Sequence, residues 1–462
     1  MTVRAKQQGG RASYEGMHTM KKYKQVWAAA LAALAAALVG CAASGSAEQP
    51  SATPSPPPAL HDQDIRLISA HQGLFATGYA STGNGCYEIQ TNTDFSVNIL
   101  YTDYQSRQRV YLSADPNSKH NDESDTSWIK NGYGACVPLT DGEFLYVLQF
   151  GLQFNPTEQP VPAQDRLPKI YKMELNGANR QVLFTLPQGT AFDLGSGLLA
   201  GKDGLYFLIL ETDGETTQEW LVRADKSTGE LQKLQELPLP GVYSLAGGYD
   251  DHLLFYAILH PGAGPDASEE ELVNKQRPTI LRYSLTDRQL ETIMDWPPLE
   301  KRGTVVGEEV LYWDSATLSV HAFHVPTGQT RTVRQGLPLD GFEFNNFFGD
   351  CYDGHVFFRM TDTKTREVHR YGLNLETGAV QELPLNEKGE TVGVFGASED
   401  GQLLVSLGDK VVPIPDYAPN GVPIIIESLV ADLVLVKAED YWAGQPVYLH
   451  LRADDYDTIT AD

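Results

Sequence analysis

The chain has 462 residues, 42% of them apolar and 10% aromatic, which is enough to pack a core and argues against global disorder. Its formal charge is −25, with 60 acidic against 35 basic side chains; a surface of that sign repels phosphate backbones and argues against nucleic acid as a partner. Tyr (22) outnumbers Phe (17), and 42 Gly with 27 Pro punctuate the sequence densely, a mixture that suits many short strands joined by turns.

In chain order, Met20 opens the basic run Lys21-Lys22-Tyr23-Lys24, and Val26 to Val39 form an apolar stretch rich in Ala and Leu. That stretch is too short to span a bilayer comfortably, so residues 1–40 read as a signal peptide. It ends in Leu38-Val39-Gly40-Cys41, the pattern of a bacterial lipobox. Small residues let the peptidase close around the bond, and the Cys41 thiol takes the diacylglyceryl group. Two acyl chains hold a protein firmly, since each buried methylene contributes roughly 0.8 kcal/mol. The plainer alternative is a secretory signal with an incidental Cys. Residues 1–19 are polar, which makes Met17 and Met20 both candidate initiators. Residues 1–40 hold six of the basic side chains and one acid, so the exported remainder carries −30. Cys41 then opens a Ser/Pro/Ala-rich linker to residue 60, with Pro56-Pro57-Pro58 near its end. It is expected to be a disordered, partly extended spacer.

Beyond Cys41 the chain keeps Cys86, Cys136 and Cys351, enough for at most one internal disulfide. Buried unpaired thiols are an equal alternative. No Cys-x-x-Cys or Cys/His cluster of zinc spacing occurs.

The body, residues 66–452, is built on a repeated unit: an Asp-Gly-like turn, an apolar strand, a second strand, a polar turn, and a third strand ending near Leu-Pro. Asp203-Gly204 leads Leu205-Tyr206-Phe207-Leu208, the turn Lys226-Ser227-Thr228-Gly229 and Leu237-Pro238; Asp353-Gly354 leads His355-Val356-Phe357-Phe358, the turn Glu376-Thr377-Gly378 and Leu383-Pro384. Asp141-Gly142, Asp251-His252, Glu308-Glu309 and Asp400-Gly401 open equivalent units. A period near fifty with three or four strands per unit is what propeller blades require. One further set of strands upstream (Gly73–Tyr79, Cys86–Gln90, Val97–Asp103, Gln108–Leu112) and completion of the last unit by 424–436 and 447–451 give an all-β, seven-bladed β-propeller. Six or eight blades, a β-sandwich array and two smaller β-domains are the alternatives. Residues 453–462 read as an acidic tail.

Blade geometry sorts the connections onto two ends. The A–B hairpins and C–D turns share one end, and the B–C and D–A loops share the other. The long insertions, 151–168 and 260–278, are both B–C loops, so they predict an elaborated rim where function collects. The D–A loops of that end carry Phe192, Asp193, Tyr243, Trp296, Phe342 and Phe344, the candidate ligand-binding residues. Packing of these rings between blades is the competing reading, and their exposure decides between the two.

Catalytic patterns are missing. Gly396-Ala397-Ser398-Glu399-Asp400 lacks the second Gly of a serine elbow. No His-Glu-x-x-His and no phosphate-cradling glycine loop occurs. His321 and His324 stand three apart in a predicted strand and point to opposite faces. The acidic run Asn121-Asp122-Glu123-Ser124-Asp125 lacks the spacing of a calcium hand. No catalytic residue, metal or cofactor is therefore assigned.

Residues 99–125 resemble a family of β-propeller lipoproteins of Gram-positive anaerobes. The stretch that carries the likeness runs Leu100-Tyr101, Asp103-Tyr104, Val110-Tyr111-Leu112-Ser113, then Pro116-Asn117-Ser118-Lys119-His120-Asn121-Asp122-Glu123-Ser124-Asp125. In that family a Cys usually stands where Ser113, Ser118 and Asp125 stand here, and His120 matches the family His. With every such Cys lost, a thiolate metal site is not expected. The resemblance implies surface location and a propeller, and brings no activity with it. Together these readings predict a membrane-tethered lipoprotein on the extracytoplasmic face, acting as a non-catalytic scaffold for an extracellular ligand or envelope protein. The alternative is an extracellular hydrolase or lyase acting on carbohydrate or peptide at the propeller mouth.

Overall fold

A computed structural model describes residues 62–451 apart from short stretches at 93–95, 114, 116–117, 131–135, 152–161, 215, 265–266, 298–299 and 418–422. Cys41, the leader, the linker to residue 60 and the acidic tail lie outside the described residues.

The body is a seven-bladed β-propeller of antiparallel sheets, each with its main strands from one contiguous stretch of chain; blade 1 adds the short strand Trp128–Ile129, and blade 3 adds Arg66–Leu67 from upstream. Blade 1 comprises Tyr79–Ser81, Gly85–Thr91, Val97–Asp103 and Arg109–Tyr111; blade 2 comprises Cys136–Thr140, Phe144–Gln149, Lys169–Glu174 and Gln181–Thr185. In blade 3 the innermost strand is split into Thr190–Phe192 and Leu199–Ala200, followed by Gly204–Thr212, Thr217–Asp225 and Leu231–Leu237. Blades 4, 5, 6 and 7 begin at Gly241–Tyr249, Lys301–Val306, Phe342–Tyr352 and Gly393–Ala397. All six predicted unit openings fall at A–B turns, between the first and second strands of blades 2 to 7.

The packing explains why the sequence repeats as it does. Side chains alternate across a strand, and a blade is sandwiched between two neighbours, so both faces must be apolar. In Gly204–Thr212, Leu205, Phe207 and Ile209 enter the cluster shared with blade 2, whereas Tyr206 and Leu208 enter the cluster shared with blade 4. Seven apolar clusters fill the seven inter-blade interfaces. The one that closes the ring joins Cys86 and Tyr104 of blade 1 to Leu404, Leu433 and Leu435 of blade 7.

One predicted strand is not there. Gly73–Tyr79 does not form the first strand of blade 1; a short 3-10 turn, Leu74–Ala76, precedes a first strand that begins only at Tyr79. Residues 62–78 instead form a strap inside the channel. Arg66 and Leu67 pair with Ala200 and Leu199 of blade 3, and Leu74 and Phe75 donate backbone hydrogen bonds to Ser196 and Leu194. Ile65 lies against Gly248, where an added Cβ would come within 2.5 Å of the isoleucine, so only Gly lets the strap sit that close to blade 4.

Candidate functional site: the axial cavity and the loop end

Beside the strap the channel keeps a cavity of about 600 Å³, bounded by the strap and by residues of blades 1, 2, 4, 5, 6 and 7. The strap reaches across it to blade 6. His71 Nδ1 lies 2.7 Å from Asp350 Oδ1, which also accepts the His71 backbone N–H at 2.8 Å. Asp350 Oδ2 accepts the Tyr352 hydroxyl at 3.4 Å. Burial first, and the Asp350 charge second, push the Tyr352 hydroxyl well above its ordinary pKa, so it stays a neutral donor. Across the ring closure Tyr79 and Phe395 pack as a tilted pair with centroids 4.6 Å apart. The cavity wall is thus part aromatic and part polar.

The remaining thiols form no disulfide: Cys86 and Cys136 are buried, and Cys351 is half-buried in the cavity wall. Burial pushes Cys86 and Cys136 up to about 12. Burial, then Asp350 and Asp353, push Cys351 up to about 11. None is a thiolate nucleophile at neutral pH.

The aromatic rim predicted from sequence is core. Phe192 is 2% exposed and packs on Phe184 and Phe207 between blades 2 and 3. Tyr243 is buried between blades 3 and 4, its hydroxyl donated to the Pro238 carbonyl at 2.6 Å. Trp296 is 2% exposed between blades 4 and 5. Phe344 is buried between blades 5 and 6, stacked on Trp313 at 5.0 Å. Asp193 is buried as well, and Oδ1 accepts the Gly195 N–H at 3.0 Å in a local turn. Phe342 alone is half-buried, edge-on to His369 at 5.3 Å and to Tyr371. Phe192, Tyr243, Phe342 and Phe344 belong to the first strands of their blades rather than to D–A loops, Trp296 alone lies in such a connection, and Asp193 sits in the break of blade 3's inner strand; five of the six positions are buried and offer no surface to a ligand. Only Phe342 and Phe344 share a cluster.

The loop end is nevertheless the elaborated end. The B–C connection of blade 2 runs from 150 to 168, and that of blade 4 carries the helix Glu269–Lys275. Blade 7 adds a third excursion that sequence reading absorbed into the blade itself. Its second and third strands, Gln402–Tyr417 and Pro423–Lys437, are 16 and 15 residues long. Beyond Ser406 and Leu433 they pair only with each other among the described residues, from Asp409↔Ala431 to Tyr417↔Pro423.

A second cluster gathers the positions that carried the family resemblance. Asp125 Oδ2 accepts from Ser113 Oγ at 2.8 Å and lies 2.7 Å from His120 Nδ1, while Oδ1 accepts the Ser127 N–H at 2.6 Å. His120 stacks on Tyr111 at 4.1 Å. Burial alone would raise the Asp125 carboxyl; hydrogen bonds from Ser118, Ser127 and Ser113 outweigh it and hold the group below the usual carboxylate range. A carboxylate so held stabilises the 113–127 loop fully above the ordinary Asp pKa of about 3.9, and that support is lost as pH falls. Amide protection in this loop, taken relative to the intrinsic exchange rate at each pH, should therefore fall on acidification, and in an Asp125→Ala variant it should be low already at pH 7. Among the described residues no group of three or more His, Cys, Asp or Glu side chains is arranged to hold a metal ion.

No family model and no curated protein matches this sequence. Among solved structures the chain is similar to the β-propeller domain of the Trilobed protease from Pyrococcus furiosus, at 9% identity and TM-score 0.42, covering 83% of this chain and 97% of that one. It is also similar to oligogalacturonate lyase from Vibrio parahaemolyticus, at 12% identity and TM-score 0.40, covering 83% and 90%, and to acylaminoacyl peptidase from Pyrococcus horikoshii, at 11% identity and TM-score 0.46, covering 85% and 53%.

Proposed function

We propose that this chain is an extracytoplasmic lipoprotein, held to the cell membrane by lipid on Cys41, that works as a non-catalytic binding module for an extracellular ligand or envelope protein. The single observation that carries the binding reading is the asymmetry of the ring. Short turns close one end, while blades 2, 4 and 7 each send a long B–C excursion from the other. A rigid scaffold that spends its extra chain on one end is built to present loops to a partner. The sequence Leu38-Val39-Gly40-Cys41 supports the anchor.

Two measurements test the two halves. Cells fed radiolabelled palmitate should label the wild-type protein, and Cys41→Ser should lose the label and leave the membrane fraction; a labelled Cys41→Ser variant would sink the anchor. Mature protein should retain ligands on glycan or peptide arrays through the loop end, with shortening of 152–161 and 261–268 abolishing retention. Turnover of a retained ligand would overturn the non-catalytic reading in favour of a hydrolase or lyase.

A further inference from the structure

The A–B turn of blade 2 shows what such a turn needs. Asp141 Oδ1 accepts the N–H groups of Glu143 at 3.0 Å and Phe144 at 2.8 Å, and Oδ2 accepts the Tyr146 hydroxyl at 2.9 Å. In blade 3 the same register is occupied by Gly201, Asp203 and Tyr206: Thr140 pairs with Leu145 across one turn as Ala200 pairs with Leu205 across the other. The turn of blade 3 thus has the tyrosine and the N–H donors, but Gly201 where the carboxylate belongs.

Asp62 of the strap supplies it. Its Oδ1 accepts the Asp203 N–H at 3.0 Å and its Oδ2 accepts the Tyr206 hydroxyl at 2.8 Å, the same two bonds that Asp141 makes in blade 2. The fit depends on glycine. A Cβ on Gly201 would lie 2.5 to 2.8 Å from the Asp62 carboxylate. Asp62 is 3% exposed. Gln63 accepts the Lys202 N–H at 2.9 Å, and Arg66 donates to the Asp141 carbonyl, so the strap is pinned to the turns of two blades.

We propose that Asp62 is a latch: a carboxylate borrowed from the strap completes the turn of blade 3 and fixes the hairpin end as the end that faces the membrane, leaving the loop end as the outward interaction surface. This orientation rests on the lipid anchor at Cys41. The chain enters the described body at Asp62, on the hairpin end, so a tether that arrives there draws that end towards the bilayer.

Hydrogen exchange on the unacylated mature chain tests the latch by itself. Asp62→Ala should speed exchange over residues 62–68 at least tenfold. Adding Gly201→Asp to it should restore thermal stability by completing the turn, while exchange in the strap stays fast. Unchanged exchange in Asp62→Ala overturns the latch. Orientation is read on the acylated protein, carrying Cys351→Ser, bound to phosphatidylcholine vesicles with a headgroup quencher. A fluorophore at Glu376→Cys, on the C–D turn of blade 6, should be quenched severalfold more than one at Glu270→Cys in the B–C helix of blade 4. Equal quenching in the wild-type background overturns the orientation. If the acylated chain does not stay on vesicles at all, the anchor falls and the orientation with it, while the exchange experiment still decides the latch.

Discussion

Lys226→Met should lower the stability of the propeller by about 3–5 kcal/mol, the cost of leaving a buried charge without its partner. Lys226 sits on the C–D turn of blade 3 and reaches into blade 2, placing Nζ 2.6 Å from Asp141 Oδ2 and donating also to the Gly201 carbonyl; the two side chains are 9% and 4% exposed. Burial by itself raises the Asp141 pKa. The Lys226 ammonium and the N–H groups of Phe144 and Glu143 outweigh that and hold the carboxyl below its usual range. The sign then follows: this depressed group contributes stability above the ordinary carboxylate pKa of about 3.9 and loses it as pH falls. Lys226→Met removes part of what depresses it, so acid unfolding should begin at higher pH than in the wild type. Urea unfolding at pH 7 measures the loss. Lys226→Met combined with Asp141→Asn should recover a substantial part of it, since no unpaired charge remains buried. A loss below about 1 kcal/mol would place Lys226 with ordinary surface ion pairs.

Trp296→Ala should be equally costly, about 3–5 kcal/mol, the range for deleting a large ring from a packed interior. The ring packs with Leu254, Ile280 and Val305 between blades 4 and 5, and a Cβ on Gly303 would touch it at 3.2 Å. The same substitution separates the two readings of these aromatics. A ring displayed for a ligand costs little stability when removed, within roughly 0.5 kcal/mol. Denaturant unfolding of Trp296→Ala, with Phe342→Ala as the half-buried counterpart from the same set of candidates, should give a large loss for the first and a much smaller one for the second.

Much of the architecture was written locally. A blade needs strands that are apolar on both faces and a turn that tolerates positive φ, and both leave marks within a few residues: Leu205-Tyr206-Phe207-Leu208 for the first, Asp353-Gly354 with both residues at positive φ for the second. Blade count and the sorting of connections onto two ends follow from counting such units. Gly73–Tyr79 misled because its apolar residues match a strand's composition, whereas its place is set by partners about 120 residues away, Leu194 and Ser196, and by the bond of neighbouring His71 to Asp350.

By itself, then, the sequence determined the class of fold, its repeat and its two unlike ends, because alternation and turn chemistry act between near neighbours. Only the tertiary structure decided which side chains reach solvent. Phe192, Tyr243 and Trp296 have the composition of a binding rim, but the adjoining blade covers them. The path of the strap was likewise beyond local reading, since a glycine at 201 and an aspartate at 62 become one turn only when the ring has closed around them.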